Sequence, residues 1–220
     1  MTELDLDPIL AARLSLLDGV PELGAAMPTP DELRRFDSFS AAVGDYTAPD
    51  ADASAHVAPG PHGDVPVRVY RPVGGSRTRR GLVWLHGGAF MFGDLDMPEA
   101  DVVARELVAR ADVTVVSVDY RLAPEHRFPT AVDDAWAALR WLAEQGAARG
   151  FDSQRLAVAG DSAGGTLAAV VALMARDHGL PLRAQVLVTP GTTAHADTAS
   201  HHLFANGFLL DATTIEWFFE

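Results

Sequence analysis

Leu156-Ala157-Val158-Ala159-Gly160-Asp161-Ser162-Ala163-Gly164-Gly165 is the stretch on which the reading of this chain turns. Four apolar residues, a strand's worth, run into a glycine, an acid and a serine. The small residues after Ser162 read as the start of a helix. The spacing Gly160-x-Ser162-x-Gly164 is that of a nucleophile elbow, a sharp strand-to-helix turn that lifts a serine hydroxyl above a sheet. Glycine is expected on both sides of the turn because a Cβ there would collide with neighbouring backbone. The start of the helix also favours negative charge developing close by. A phosphate loop would place a lysine after its glycines, as in G-x-x-x-x-G-K, and none follows here. A βα turn without chemistry is the plainer alternative for the pentapeptide taken alone.

Outward from the elbow, further apolar runs occupy residues 82–85, 113–118 and 184–188. With 156–159 they predict strands buried on both faces, as in a parallel sheet. Thr130 opens a helix, with Asp133 three residues on in a capping-box arrangement. Its apolar positions Val132, Ala135, Trp136, Leu139 and Leu142 recur at helical spacing. A second helix runs from Ser162 to about His178 and stops at Gly179. Strand and helix therefore alternate through 82–188, which predicts βαβ units and an α/β fold. Before them, 55–59 and 65–70 flank a Gly60-Pro61-His62-Gly63-Asp64 turn and predict a half-buried edge hairpin. Residues 48–54 read as a polar connector, and residues 1–48 as helices over 7–17 and 29–43. Thr29-Pro30-Asp31-Glu32 is a strong start for the second of these.

The strand at 82–85 leads into His86-Gly87-Gly88-Ala89-Phe90. An acyl-transfer site needs backbone N–H groups aimed at a tetrahedral oxyanion, and small residues let the backbone approach. In this fold such a loop acts with the N–H of the residue after the nucleophile, here Ala163. Gly87, Gly88, Ala89 and Ala163 are thus the candidate oxyanion donors. Two motifs in this order, each ending a strand, make Ser162 the expected nucleophile.

Composition narrows the classes. Seventeen Lys and Arg against 30 Asp and Glu give a net charge of −13, a surface that repels nucleic-acid phosphates. There are no cysteines, which excludes disulfides and thiolate metal sites. The N-terminus lacks a signal-peptide pattern, and no apolar run reaches the ~18 residues of a membrane span. The expectation is a cytoplasmic protein without cofactor or metal; a homo-oligomer is left open. His195, His201 and His202 lack the spacing of metal ligands.

The chain resembles the hormone-sensitive-lipase-like bacterial esterases. The resemblance rests on His86-Gly-Gly-Ala-Phe90, on Val118-Asp-Tyr-Arg-Leu-Ala-Pro-Glu-His126, on Phe128-Pro-Thr-Ala-Val-Asp-Asp134 and on Gly160-Asp-Ser-Ala-Gly-Gly165. It implies an α/β-hydrolase fold, a mostly parallel sheet with helices on both faces and a helical cap, lacking the last strands. It implies cap helices in 1–48, a partial core in 49–190 and a second cap segment beginning in 191–220. The activity implied is cleavage of short-to-medium acyl esters through an acyl-enzyme on Ser162. His86, Gly160, Asp161 and Gly164 then carry structural roles, and Ala89 stands where the family usually has a third glycine.

A serine nucleophile needs a base, and the base an orienting acid. The family's acid and histidine loops do not occur after Ser162, where the candidates are Asp197, Asp211, His178, His195, His201 and His202. Asp197 and His201 stand in the right order but within one short loop. The sequence therefore reads as a fragment ending inside a helix that Asp211 caps, with the acid and histidine expected past Glu220. Little turnover is expected of these residues alone. The alternative is a hydrolase-fold protein that binds a ligand without turnover.

Overall fold

The computed structural model describes residues 7–17, 29, 31–32, 34–35, 46–74, 80–149 (146–149 as backbone), 151–195, 197–206 and 210–219. The chain forms two compact bodies, Thr47–Thr192 and the pair of segments Met1–Tyr46 and Thr193–Glu220.

The larger body is built on six strands: β1 (Asp52–Ala58), β2 (Val65–Arg71), β3 (Gly81–Leu85), β4 (Thr114–Val118), β5 (Leu156–Asp161) and β6 (Leu182–Val188). They lie in the order β1-β2-β4-β3-β5-β6. β1 and β2 form the antiparallel hairpin, β2 runs antiparallel to β4, and β3 to β6 are mutually parallel. Three helices connect the parallel strands: α1 (Pro98–Ala111), α2 (Thr130–Arg149) and α3 (Ser162–Asp177). The strand period of two splits β3 between two cores. Val83 and Leu85 pack with Leu139 of α2 and Leu167 and Val171 of α3, while Leu82 and Trp84 pack with Ala104 and Val108 of α1. Helices thus cover both faces. The Trp84 indole N–H, buried with its ring, donates to the Glu99 carbonyl at 2.7 Å.

β3, β4 and β5 follow the apolar runs and are buried as expected. The fourth run does not behave alike. β6 has one neighbour in the sheet, and Val186 and Val188 are about half exposed. Continuous apolarity marks a strand, but burial on both faces also needs neighbours, and β6 lies at the edge. β2 differs in the other direction: it is enclosed between β1 and β4, and Tyr70 is fully buried. The stretch 48–54 is not all connector, since β1 begins at Asp52.

Helix α1 was not among the sequence expectations. Its N-cap, Met97, makes no side-chain cap, and only Pro98 with Glu99 and Asp101 in the first turn signals a start. The α2 start also differs from expectation. Asp133 does not reach back to the Thr130 amide, which donates to the Arg127 carbonyl; its carboxylate instead meets the His62 ring at 2.7 Å. That contact ties the hairpin turn to the helix, and no local pattern announces a partner 71 residues away.

In the smaller body, Asp7 caps a helix at Pro8–Leu14, which continues as one 3-10 turn to Leu17. Thr29 and Glu32 form a reciprocal cap: the Glu32 carboxylate accepts from the Thr29 N–H at 2.6 Å, and the Thr29 hydroxyl accepts from the Glu32 N–H at 3.3 Å. The expected continuation of that helix to residue 43 lies outside the described residues. Two further helices span Ala199–Leu203 and Ala212–Phe218, and Asp211 caps the second through the Thr214 N–H at 2.7 Å.

Candidate active site

Parallel register builds the site. Leu85 of β3 is paired with Gly160 of β5, so His86-Gly87 and Asp161-Ser162 leave the sheet side by side at the carboxyl ends of their strands. From β3 the chain passes to β4 on one side and later to β5 on the other. Loops that part at such a switch point leave a crevice, where ligands bind in open α/β sheets.

The elbow is tight. Ser162 is the first residue of α3 and has φ +50°, the left-handed region. Holding a residue with a Cβ there costs about 1–2 kcal/mol, strain of a kind that gathers at functional sites. Gly160 and Gly164 have no such φ; space requires them. A Cβ on Gly160 would lie 2.3 Å from the Gly164 carbonyl oxygen, and one on Gly164 2.0 Å from that of Leu85. The helix start is therefore pressed against the end of β3, where the His86 loop begins.

The facing loop is equally constrained. Gly88, Ala89 and Phe90 take φ of +120°, +54° and +61° in succession. The Gly88 carbonyl accepts from both Met91 and Phe92, at 2.9 and 2.8 Å. A Cβ on Gly88 would lie 2.1 Å from the Phe92 oxygen, so the turn closes only with glycine there. Gly87 is packed against the elbow: a Cβ on it would lie 3.3 Å from the Ser162 Cβ. Helix geometry leaves the first N–H groups of α3 without intrahelical partners. Among the described residues the N–H groups of Gly88, Ala89 and Ala163 have no hydrogen-bond acceptor.

His86 lies beneath the loop and is fully buried. Its ring stacks on Tyr120 with centroids 4.4 Å apart, and the Tyr120 hydroxyl donates to the His86 carbonyl at 2.7 Å. Burial lowers the pKa of the ring, so it is neutral, with Nδ1 donating to the Gly87 carbonyl at 2.6 Å. Gly93 covers the ring edge, where a Cβ would meet it at 2.7 Å. These contacts tie His86 to the loop. The roles of Tyr120 and Gly93 had no signal of their own in the sequence, beyond Tyr120 lying in the 118–126 run.

Asp161 has a half-enclosed carboxylate beside Ser162. Burial, the larger effect, pushes its pKa up to about 6, against the Gly87 N–H, which lowers it. Oδ2 sits where a Gly87 Cβ would approach it to 2.6 Å, and Oδ1 is buried without a partner.

No histidine of the larger body is bonded to Ser162. His56 meets Ser54 at 2.9 Å, His62 meets Asp133, His178 donates to the Met174 carbonyl at 2.8 Å, and His126 is exposed. In the smaller body Asp197 and His202 pair at 2.6 Å, both strongly exposed, and Asp211 is engaged as a helix cap. Among the described residues no group of three or more His, Asp or Glu side chains is placed to hold a metal, and no helix is long and apolar enough to cross a membrane.

Known proteins resemble this chain in sequence and fold. A profile of the alpha/beta hydrolase fold matches residues 82–220. An ethyl acetate hydrolase of Pseudomonas putida is 40% identical over 99% of this chain and 71% of its own. A carboxylic ester hydrolase of Mycobacterium tuberculosis is 48% identical over 73% of this chain, a match that spans 43% of that protein. Among solved structures, a hyperthermophilic esterase from the archaeon Pyrobaculum calidifontis superposes with a TM-score of 0.82 at 35% identity, covering 98% of this chain and 69% of the esterase.

Proposed function

Because the chain belongs to the α/β-hydrolase family, in its hormone-sensitive-lipase-like branch, we propose that it carries the nucleophile and oxyanion hole of a carboxylic-ester hydrolase. The observation that carries the reading is the strained serine at the head of α3 packed against Gly87 of the facing loop, while the N–H groups of Gly88, Ala89 and Ala163 have no acceptor among the described residues. Ser162 attacks the ester carbonyl and forms an acyl-enzyme. The N–H groups stabilise the oxyanion, which matters most where charge develops away from water. For Gly87 we propose the close approach, since a Cβ there would meet both the Asp161 carboxylate and the Ser162 Cβ.

We assign residues 1–48 and 191–220 to cap segments, and short-to-medium acyl esters as substrates, in line with the ethyl acetate hydrolase likeness. The general base is none of the five histidines of the larger body. The exposed Asp197–His202 pair draws both members from one short segment, whereas the fold takes acid and base from loops after two different strands. We therefore propose that the Asp197–His202 pair does not serve as acid and base, and expect slow turnover from these residues alone. An oxyanion hole without a complete triad still leaves about a thousandfold catalysis over water.

Prolonged treatment with a fluorophosphonate tests the reading. The adduct is expected on Ser162 ahead of every other hydroxyl, and none in Ser162→Ala. An adduct elsewhere, or slow p-nitrophenyl butyrate hydrolysis that survives Ser162→Ala, overturns it. Fast hydrolysis abolished by Ser162→Ala would uphold the nucleophile and overturn only the exclusion of the Asp197–His202 pair.

A further inference from the structure

Asp161 stands at the N-cap of α3 yet makes no side-chain cap to the helix. Aspartate is among the best N-cap residues because its carboxylate accepts the free N–H groups of the first turn. Here the carboxylate is turned away from its own helix and across to the β3 loop. Oδ2 lies against Gly87, at the place where a Cβ would come within 2.6 Å, and the Gly87 N–H acts to lower the pKa of this carboxylate. Oδ1 is enclosed with no partner.

An ionised carboxylate beside Ser162 is electrostatically adverse to an oxyanion forming there, since like charges repel. Enclosing it also has a desolvation cost. Neither helix capping nor charge stabilisation of the reaction accounts for it. Its contact with Gly87 does, because Gly87 is the residue immediately before the left-handed turn Gly88-Ala89-Phe90.

We propose that Asp161 is the positioning residue of the oxyanion loop, holding the Gly87 N–H so that the Gly88 and Ala89 N–H groups stay turned to the carbonyl over Ser162. The inference rests on the hydrolase reading above for its purpose, though not for its geometry. Asp161 touches no reacting atom. It acts through the loop, and its second oxygen has no other duty. The charged and titratable groups around it are Glu99 at the head of α1, which raises its pKa, and Tyr120 after β4. The neutral His86 ring precedes Gly87 in the same loop.

Amide NMR on the whole chain tests this without requiring turnover. In the wild type the Gly87 N–H is expected to resist hydrogen exchange and to titrate together with the Asp161 side-chain carbon, with one midpoint near 6. Asp161→Ala should speed Gly87 exchange about tenfold or more, as the carboxylate proposed to hold it is lost, while Val83 in the sheet is unchanged. Asp161→Asn, whose amide oxygen can still accept, should keep the protection and abolish the titration. Unaltered Gly87 exchange in Asp161→Ala overturns the proposal. Should that variant fold poorly, a Gly87 signal that still titrates near pH 6 in Asp161→Asn overturns it equally. Failure of Ser162 to take the fluorophosphonate would remove the hydrolase reading and leave these amide results standing, so the two failures are distinguishable.

Discussion

A Cβ placed on Gly164 would lie 2.0 Å from the carbonyl oxygen of Leu85. The first turn of the helix that Ser162 begins is therefore held against the strand end from which the His86 loop departs. The two halves of the site are one packing unit.

Gly164→Ala is accordingly expected to destabilise the chain by about 3 kcal/mol or more, because backbone rather than a movable side chain is in the way. Gly179→Ala is the control. Gly179 has φ +70° but open space around its Cβ position, so only the left-handed strain of about 1 kcal/mol applies. Urea denaturation of both variants decides it, and equal losses would contradict the close packing.

Ala89→Gly should stabilise the chain by about 1 kcal/mol. Ala89 is left-handed at φ +54°, a region glycine enters without steric cost. The same change removes the only side-chain atom Ala89 offers the site, so acyl groups bulkier near the carbonyl should be accepted better. The reverse change next door, Gly88→Ala, should disrupt the loop, given the 2.1 Å approach to the Phe92 oxygen. Thermal melts of the pair are expected to move in opposite directions.

The pH dependence of stability should carry the mark of Asp161. Its folded pKa, near 6, stands above the ordinary value of 3.8. Between those values the folded chain holds a proton that the unfolded chain has lost, so stability falls as pH rises from about 4 to about 6 and is level above. Asp161→Asn removes that fall. At pH 7 it is expected to exceed the wild type by about 1–2 kcal/mol, allowing for solvent screening of a part-exposed group. The gain should close towards pH 4. His86, kept neutral by burial, works oppositely: its stability is lost as pH falls below about 6.5. It is common to both proteins, so the difference between their profiles isolates Asp161. A constant gap at all pH values would refute the assignment.

Burial separates two ion pairs. Asp134 is fully buried and accepts from Arg121 Nη1 at 2.6 Å and from the Arg121 N–H at 3.0 Å. Arg121→Ala strands that charge and should cost about 3–5 kcal/mol. Arg140 and Glu144, 2.9 Å apart, are both more than half exposed, and Glu144→Ala should cost less than about 0.5 kcal/mol. Chemical denaturation of the two variants measures the contrast.

The elbow and the His86 loop were legible in the sequence because glycines mark them at fixed spacing. Glycine is demanded at 88 by φ and by the close approach of the next turn and at 160 by the Gly164 carbonyl oxygen, whereas at 164 the demand comes from the distant Leu85 and only the motif spacing announces it. The strands β3, β4 and β5 announced themselves as short apolar runs, and α2 and α3 by period and by Gly179. Helix α1 escaped because its cap is a methionine and its charged and apolar residues mix along the first turns.

Three matters were decided only in three dimensions. Which residue stands beside Ser162 depends on the β3–β5 register, Leu85 opposite Gly160, a pairing of segments 75 residues apart. Whether an apolar strand is buried depends on its neighbours, which is why β6 is exposed and β2 enclosed. Where a carboxylate turns depends on what lies within its reach, so Asp133 met His62 and Asp161 met Gly87 instead of capping their own helices. Sterics and periodicity act between near neighbours in the chain and can be read along it. Register, edge position and charge partners arise from contacts between distant segments, and exist only once the sheet has formed.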